Sequence, residues 1–188
     1  KFVSCFITAD CYSGGYAIGK YLSTKLARNA KIGALNYPQL SVIAVRFDGL
    51  AAALKDAGRS DVTIINKDAT DLSAISSYTE DMLMANPDIS AFVCLNDNTA
   101  LSCASTCRQM GKKNIMVFGF DGSPAAKQAI AVGEMTGSGV YSPIDLAKSA
   151  VDAVNAIING APYERETLVN MWLIDPDNIK KMDLKNWS

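Results

Sequence analysis

Short apolar or β-branched runs alternate along this chain with longer stretches in which apolar residues recur at helical spacing. The short runs predict strands at 2–8, 31–35, 62–65, 91–95, 115–120, 135–141 and 168–174. The longer stretches predict helices at 12–28, 42–57, 71–85, 99–110, 125–132 and 144–158. The punctuation agrees with this reading. Asp71 is placed to cap a helix and Asn86-Pro87 to stop one, while Gly58, Gly111, Gly133 and Asn159-Gly160 are placed to end others. The tail over 175–188 is polar and predicts a capped turn at best. No internal repeat or low-complexity linker interrupts the beat.

Strand-helix alternation at this spacing predicts an α/β fold, a doubly wound parallel sheet with helices on both faces. Its strands are nearly continuous apolar runs, as a sheet covered on both faces requires. In such sheets a ligand lies beyond the carboxyl ends of the strands. The positions that matter are therefore Asp10, 36–40, 66–70, 96–98, 121–123 and Tyr141.

Composition narrows the chemistry. The 188 residues are 49% hydrophobic and 20% charged, ordinary for a globular chain, and their net charge of -1 gives no support for nucleic-acid binding. No apolar run approaches the ~18 residues of a membrane span. The absence of histidine removes Ser-His and Cys-His nucleophile pairs and every histidine metal ligand. Five cysteines, Cys5, Cys11, Cys94, Cys103 and Cys107, contain no C-x-x-C pair and read as small core hydrophobes rather than a disulfide framework. Cys103 and Cys107 stand four apart and can touch on one helix face. No metal and no cofactor are expected.

The strand ends are polar without being catalytic. Asp97 and Asn98 read first as helix caps, whereas Asn96, one residue earlier, can offer an amide donor and acceptor to a ligand hydroxyl. Asp121, in Phe120-Asp121-Gly122-Ser123, can take two hydrogen bonds from vicinal hydroxyls or serve only as a turn former. A phosphatase-type acidic loop would need a carboxylate where Gly119 stands. Gly14-Gly15 followed by Gly19 fits neither nucleotide-cradling glycine pattern. Ser138 lies between glycines but lacks the nucleophile-elbow spacing and any base. The residues favour binding without chemistry, and an enzyme ranks last.

Two longer motifs carry a resemblance. Ala85-Asn86-Pro87-Asp88-Ile89-Ser90-Ala91-Phe92-Val93-Cys94-Leu95-Asn96-Asp97 and Val117-Phe118-Gly119-Phe120-Asp121-Gly122-Ser123-Pro124 resemble stretches of the type I periplasmic binding proteins of ribose and galactose type. Arg46-Phe47-Asp48-Gly49-Leu50 and Asp10 before Gly14-Gly15 are similar to further segments of that family, in order and with matching gaps. The resemblance implies two α/β lobes joined by crossovers, with ligand bound between them and no bond made or broken. It implies that residues 10–141 and 169–188 form the C-terminal, ligand-binding lobe. Segments 1–9 and 142–168 would then belong to an N-terminal lobe largely outside this chain. Apolar surface on those segments is expected to pack against another copy, to exchange with one, or to be poorly ordered.

The resemblance implies ligand-binding roles for Asn96, Asp121, Arg46, Tyr141, Thr70 and Asp10. Asn96 and Asp121 match the amide and carboxylate that meet sugar hydroxyls. Ala44 stands where a second arginine is common, Thr70 where an aromatic often stacks on the sugar, and Tyr141 where a glutamine is common. Tyr141 can stack on a ring or plug the hinge. The implied function is the solute-binding component of an ABC-type sugar importer, extracytoplasmic (periplasmic or lipid-anchored), with membrane permease subunits as partners. The alternatives are the effector domain of a lactose-repressor-like regulator and the sensor domain of a signalling receptor. Gly119-Phe120-Asp121-Gly122 favours the transporter class, because such repressors more often carry a second aspartate in place of Gly122.

Overall fold

The computed structural model describes residues 3–187; Lys1, Phe2 and Ser188, and with them the expected start of the first strand, lie outside the described residues. The elements are β1 (Phe6–Ala9), α1 (Cys11–Lys25), β2 (Lys31–Asn36), α2 (Ser41–Asp56) and β3 (Thr63–Asp68). They continue with α3 (Ile75–Ala85), β4 (Ile89–Cys94), α4 (Asp97–Gln109), β5 (Met116–Phe120) and α5 (Pro124–Ala131). The chain closes with β6 (Gly137–Tyr141), α6 (Pro143–Ile158), β7 (Glu166–Val169) and β8 (Met171–Ile174). Short 3-10 turns sit at Leu72–Ala74 and Ile179–Lys181; Asp71 caps the first of these rather than α3 itself.

Six strands form one sheet in the order β3-β2-β4-β5-β6-β8. Its pairs are parallel except β6 with β8, where Tyr141 stands opposite Met171 in an antiparallel edge. The parallel sheet expected from the alternation is therefore mixed at that edge, a common variation on the doubly wound plan. The single strand expected over 168–174 is two strands in two sheets. β7 pairs with β1 in a separate parallel ribbon, Phe6 opposite Glu166 and Ala9 opposite Val169, and the chain crosses at exposed Asn170 to the large sheet. Buried Val169 and Met171 flank that crossover, so the two strands merge into one apolar run with no glycine or proline to mark the break.

Alternation along the strands builds a core on each face of the sheet. In β4, Ala91 and Val93 join the cluster of Ile18, Leu22 and Leu50 from α1 and α2. Phe92 and Cys94 join the opposite cluster with Leu83, Cys103 and Ile130 from α3, α4 and α5. Helices thus cover both faces, as the sequence predicted. All five cysteines are free thiols, and Cys94, Cys103 and Cys107 lie in this second core, where burial pushes the Cys103 thiol well above its ordinary pKa.

The glycines that fit no nucleotide loop serve helix packing. A Cβ on Gly15 would lie 1.7 Å from the Arg46 carbonyl oxygen, and one on Gly49 2.2 Å from that of Tyr12, so α1 and α2 touch backbone to backbone. The tail is better anchored than its polarity suggested. Ile179 is buried, Met182 and Leu184 lie on the second core, and Lys127 donates to the Asn186 carbonyl. By contrast α6 packs on β1 and β7 and buries none of its residues, leaving Ile144, Val151, Val154 and Ile158 more than half exposed.

Candidate functional site

The carboxyl ends of β4 and β5 meet Ser138, the second residue of β6, around one buried carboxylate. The Asp121 N–H extends the β5–β6 pairing by donating to the Gly139 carbonyl at 2.8 Å. The backbone then turns sharply, with Asp121 at φ 108° and Gly122 at φ 72°. Few residues with a side chain adopt the first of these angles. Ser123 ends the turn and caps α5, its Oγ accepting from Ala126 N–H at 3.2 Å.

Asp97 holds this turn from below. Its Oδ2 accepts from Ser123 N–H at 2.7 Å, and its Oδ1 accepts from Ser138 Oγ–H at 2.7 Å. Ser138 Oγ in turn accepts from Gly122 N–H at 3.1 Å. Asp97 is only 2% exposed, and burial pushes its carboxyl up to about 6 against the lowering effect of these donors. Gly119 makes room for it, since a Cβ there would come within 2.5 Å of Asp97 Oδ1.

Asp121 itself is part-buried and keeps its carboxylate beside Arg46, Oδ1 to Nη2 at 3.5 Å. Burial raises its pKa, and the guanidinium opposes that rise. Arg46 is buried, lies 4.6 Å over the Phe120 ring and donates through Nη1 to the Leu95 carbonyl. Its buried Nε has no hydrogen-bond partner among the described residues. Arg46 therefore ties the residue before Asn96 to Asp121.

Asn96, rather than Asp97 or Asn98, is the N-cap of α4. Its Oδ1 accepts from Thr99 N–H at 3.0 Å, and Thr99 Oγ1 accepts from Asn96 N–H at 3.2 Å in a reciprocal capping box, while the one Thr99 hydroxyl proton is shared between the Asn96 carbonyl at 2.8 Å and Oδ1 at 3.0 Å. Thr99 thus takes up part of the accepting capacity of the amide oxygen, and the Nδ2 donors of Asn96 have no protein partner among the described residues. Asp97 points into the fold and Asn98 is exposed.

The remaining residues stand apart from this trio, with no hydrogen bond or ion pair to it among the described residues. Asp10 caps α1, its Oδ1 accepting from Ser13 N–H at 3.0 Å, and its own N–H donates to the Val169 carbonyl at 2.7 Å. It borders a depression of about 270 Å³ lined also by Phe6, Tyr12, Ser41 and Glu166. Thr70 is exposed beyond β3. Tyr141 is half-buried at the end of β6 against the cluster that contains Phe120 and Met171. Asp97 and Ser138 are the residues that sequence reasoning missed. The available signals were Gly119 and the glycines around Ser138, small residues beside a carboxylate on a strand end.

Paired acceptors on Asp121, donors on Asn96 and a buried cation beside them suit a neutral polyhydroxylated molecule. Among the described residues no group of three or more His, Cys, Asp or Glu side chains is placed to hold a metal ion. The model of the periplasmic binding protein domain matches residues 2–162.

The chain belongs to that family.

Relatives and solved structures agree with the membership. The ribose import binding protein of Salmonella typhimurium is 25% identical over 169 residues, 89% of this chain and 57% of the relative. The D-apiose import binding protein of Actinobacillus succinogenes is 31% identical over 110 residues, 57% of this chain and 36% of the relative. An ABC transporter solute-binding protein of Actinobacillus succinogenes with bound D-allose superposes with TM-score 0.86 at 21% identity, covering 95% of this chain and 63% of that one. A galactofuranose binding protein superposes with TM-score 0.84 at 25% identity, with the same coverage. The chain thus spans 57% of the length of the ribose relative and 63% of these structures. The family is one of solute-binding proteins, not enzymes.

Proposed function

We propose that this chain is part of the solute-binding component of an ABC-type sugar importer and takes a small sugar or sugar-like molecule on the Asp121–Asn96 face. Residues 10–141 and 169–188 form one lobe of the cleft in this reading. The ribbon of β1 and β7, with α6, belongs to a second lobe that closes over the ligand by hinge motion. The carrying observation is the Asp121 carboxylate, part-buried at a strand end beside Arg46 with the Asn96 donors nearby. A carboxylate can accept from two neighbouring hydroxyls at once, and Nδ2 of Asn96 can donate to a third. The import binding proteins for ribose and D-apiose among the relatives support the sugar class. In this reading the protein works outside the cytoplasm, periplasmic or lipid-anchored, and its closed form docks on membrane permease subunits.

The test is a thermal-shift and calorimetric screen against D-ribose, D-apiose, D-allose, phosphorylated sugars and nucleosides. A specific ligand at about 100 times its Kd adds about 2.7 kcal/mol of stability. A rise with one free sugar is expected. Silence with every free sugar, together with a rise for a phosphorylated metabolite or nucleoside, would overturn the importer reading.

A further inference from the structure

We propose that Asp97 is the positioning residue of this cleft: its buried carboxylate holds the Asp121–Gly122–Ser123 turn in the form that presents Asp121 to a ligand. The proposal rests on Asp121 being a ligand-binding group. It goes beyond that reading by making Asp121 depend on a carboxylate that faces away from the ligand.

Three observations converge. First, Asp97 and Ser138 together satisfy the two consecutive N–H groups that follow Asp121, Gly122 at 3.1 Å and Ser123 at 2.7 Å. Those bonds sit immediately after the φ 108° of Asp121, where the chain needs an outside hold to stay in a sparsely populated conformation. Second, the fold makes space for the carboxylate, because only a glycine at 119 leaves room for Oδ1. Third, the carboxylate is buried at 2% exposure although the neighbouring Asn96 is only part-buried.

The chemistry of the arrangement is specific to an ionised group. As a carboxylate, Asp97 accepts from both Ser123 N–H and Ser138 Oγ–H. That leaves Ser138 Oγ free to accept from Gly122. Protonated on Oδ1, it must instead donate to Ser138 Oγ, and the serine hydroxyl proton loses its acceptor. An asparagine at 97 has the same fault, since its NH2 must face one of two donors. The charged groups facing Asp97 are Asp121 in the turn, which disfavours its ionisation, and Lys127 on α5, with which it interacts across the helix start. The uncharged ones are Ser123 and Ser138.

The experiment follows the amides of Gly122 and Ser123 by NMR in the 188-residue chain. Across about pH 4.5 to about pH 8, the ordinary carboxylate-to-neutral range, both resonances are expected to move together with a midpoint at about 6. The step persists in Asp121→Asn and vanishes in Asp97→Asn. Binding of D-ribose, D-apiose and D-allose is then measured at both ends of the range. Wild-type affinity is expected to fall with the same midpoint. Asp97→Asn is expected to bind roughly tenfold more weakly at neutral pH and to show no midpoint. If Asp97→Asn does not fold, Ser138→Ala takes its place and is expected to move Gly122 alone and to weaken the same sugar.

Flat amides in the wild type overturn the proposal whatever the sugars do. So does an amide step with sugar affinity indifferent to Asp97 and Ser138. An intact amide step with no sugar bound at any pH overturns the sugar reading and still supports the hold of Asp97 on the turn.

Discussion

Ser138 and Asp97, 41 positions apart in the chain, meet at 2.7 Å beneath the turn that carries Asp121. The contact links β6 to the start of α4 across β5, so the ends of β4 and β5 and the body of β6 share one buried carboxylate. It is also a costly arrangement, because an aspartate at 2% exposure gives up most of its hydration for two donors.

That cost has a sign that urea unfolding reads directly. The folded pKa of Asp97 is pushed up to about 6, above the ~3.9 of a carboxyl in an unfolded chain. Between those values the folded protein keeps a proton that the unfolded chain has released. Stability therefore falls as pH rises from about 4 to about 6, then levels off. Asp121, also raised by burial, acts in the same direction. Asp61, held low by Arg59, acts in the opposite sense, but only below about pH 4. With no histidine in the chain, no ordinary side chain titrates above this window up to neutrality. The urea midpoint is expected to be higher at about pH 5 than at about pH 7.5, and Asp97→Asn to shrink that difference. Equal midpoints in the wild type would mean that Asp97 is not desolvated.

Truncating Asp121 tests the ligand face. Asp121→Ala removes both acceptors from the cleft, so ligand hydroxyls that they satisfied would be desolvated without partners. Affinity for the sugar identified by the thermal-shift screen is expected to fall roughly 10- to 100-fold, about 1–3 kcal/mol. Titration calorimetry decides it, and an unchanged Kd would remove Asp121 from the site.

Two glycine-to-alanine changes separate packing from backbone freedom. Gly15→Ala drives a Cβ into the Arg46 carbonyl at 1.7 Å, so α1 and α2 must part. A loss of about 3 kcal/mol or more is expected from such overpacking. Gly111→Ala meets nothing within 4 Å and carries only the strain of φ 75°, worth about 1 kcal/mol. Denaturant melts of the two variants should therefore differ severalfold. A similar loss in both would mean that α1 and α2 can slide apart cheaply.

Much of this was legible in the sequence because strand and helix periods are local. The runs over 91–95 and 115–120 had to be buried strands, and the covered sheet followed from them. What was not legible depends on contacts between distant segments. Asn96, Asp97 and Asn98 are interchangeable as caps by residue type. Only the position of Ser138 and the gap at Gly119 decide that Asp97 turns inward and Asn96 takes the capping box. The break at Asn170 was hidden for a similar reason, since Val169 and Met171 are buried in different sheets and look alike in one dimension. Arg46 was placed with the ligand by its motif, yet its bonds to the Leu95 carbonyl and Asp121 show how it braces the site.

That bracing gives a last prediction, on Arg46. A guanidinium is a planar fork, and here one arm reaches the end of β4 while the other faces Asp121 and the plane covers Phe120. Lysine supplies the same charge as a single point on a flexible stem and cannot serve both partners. Arg46→Lys is therefore expected to keep the charge beside Asp121 but lose the Leu95 bond, at about 1.5–3 kcal/mol. Arg46→Met keeps the packing over Phe120 and removes the charge. It leaves Asp121 part-buried with nothing to oppose desolvation, so the Asp121 carboxyl should titrate higher than in the wild type. Carboxyl NMR across the acid range reads that shift, and urea unfolding reads the stability of both variants. If Arg46→Met left Asp121 titrating as before, the 3.5 Å pair would be a neighbour relationship without electrostatic consequence. The bridge between the ends of β4 and β5 would then have to be sought in the backbone alone.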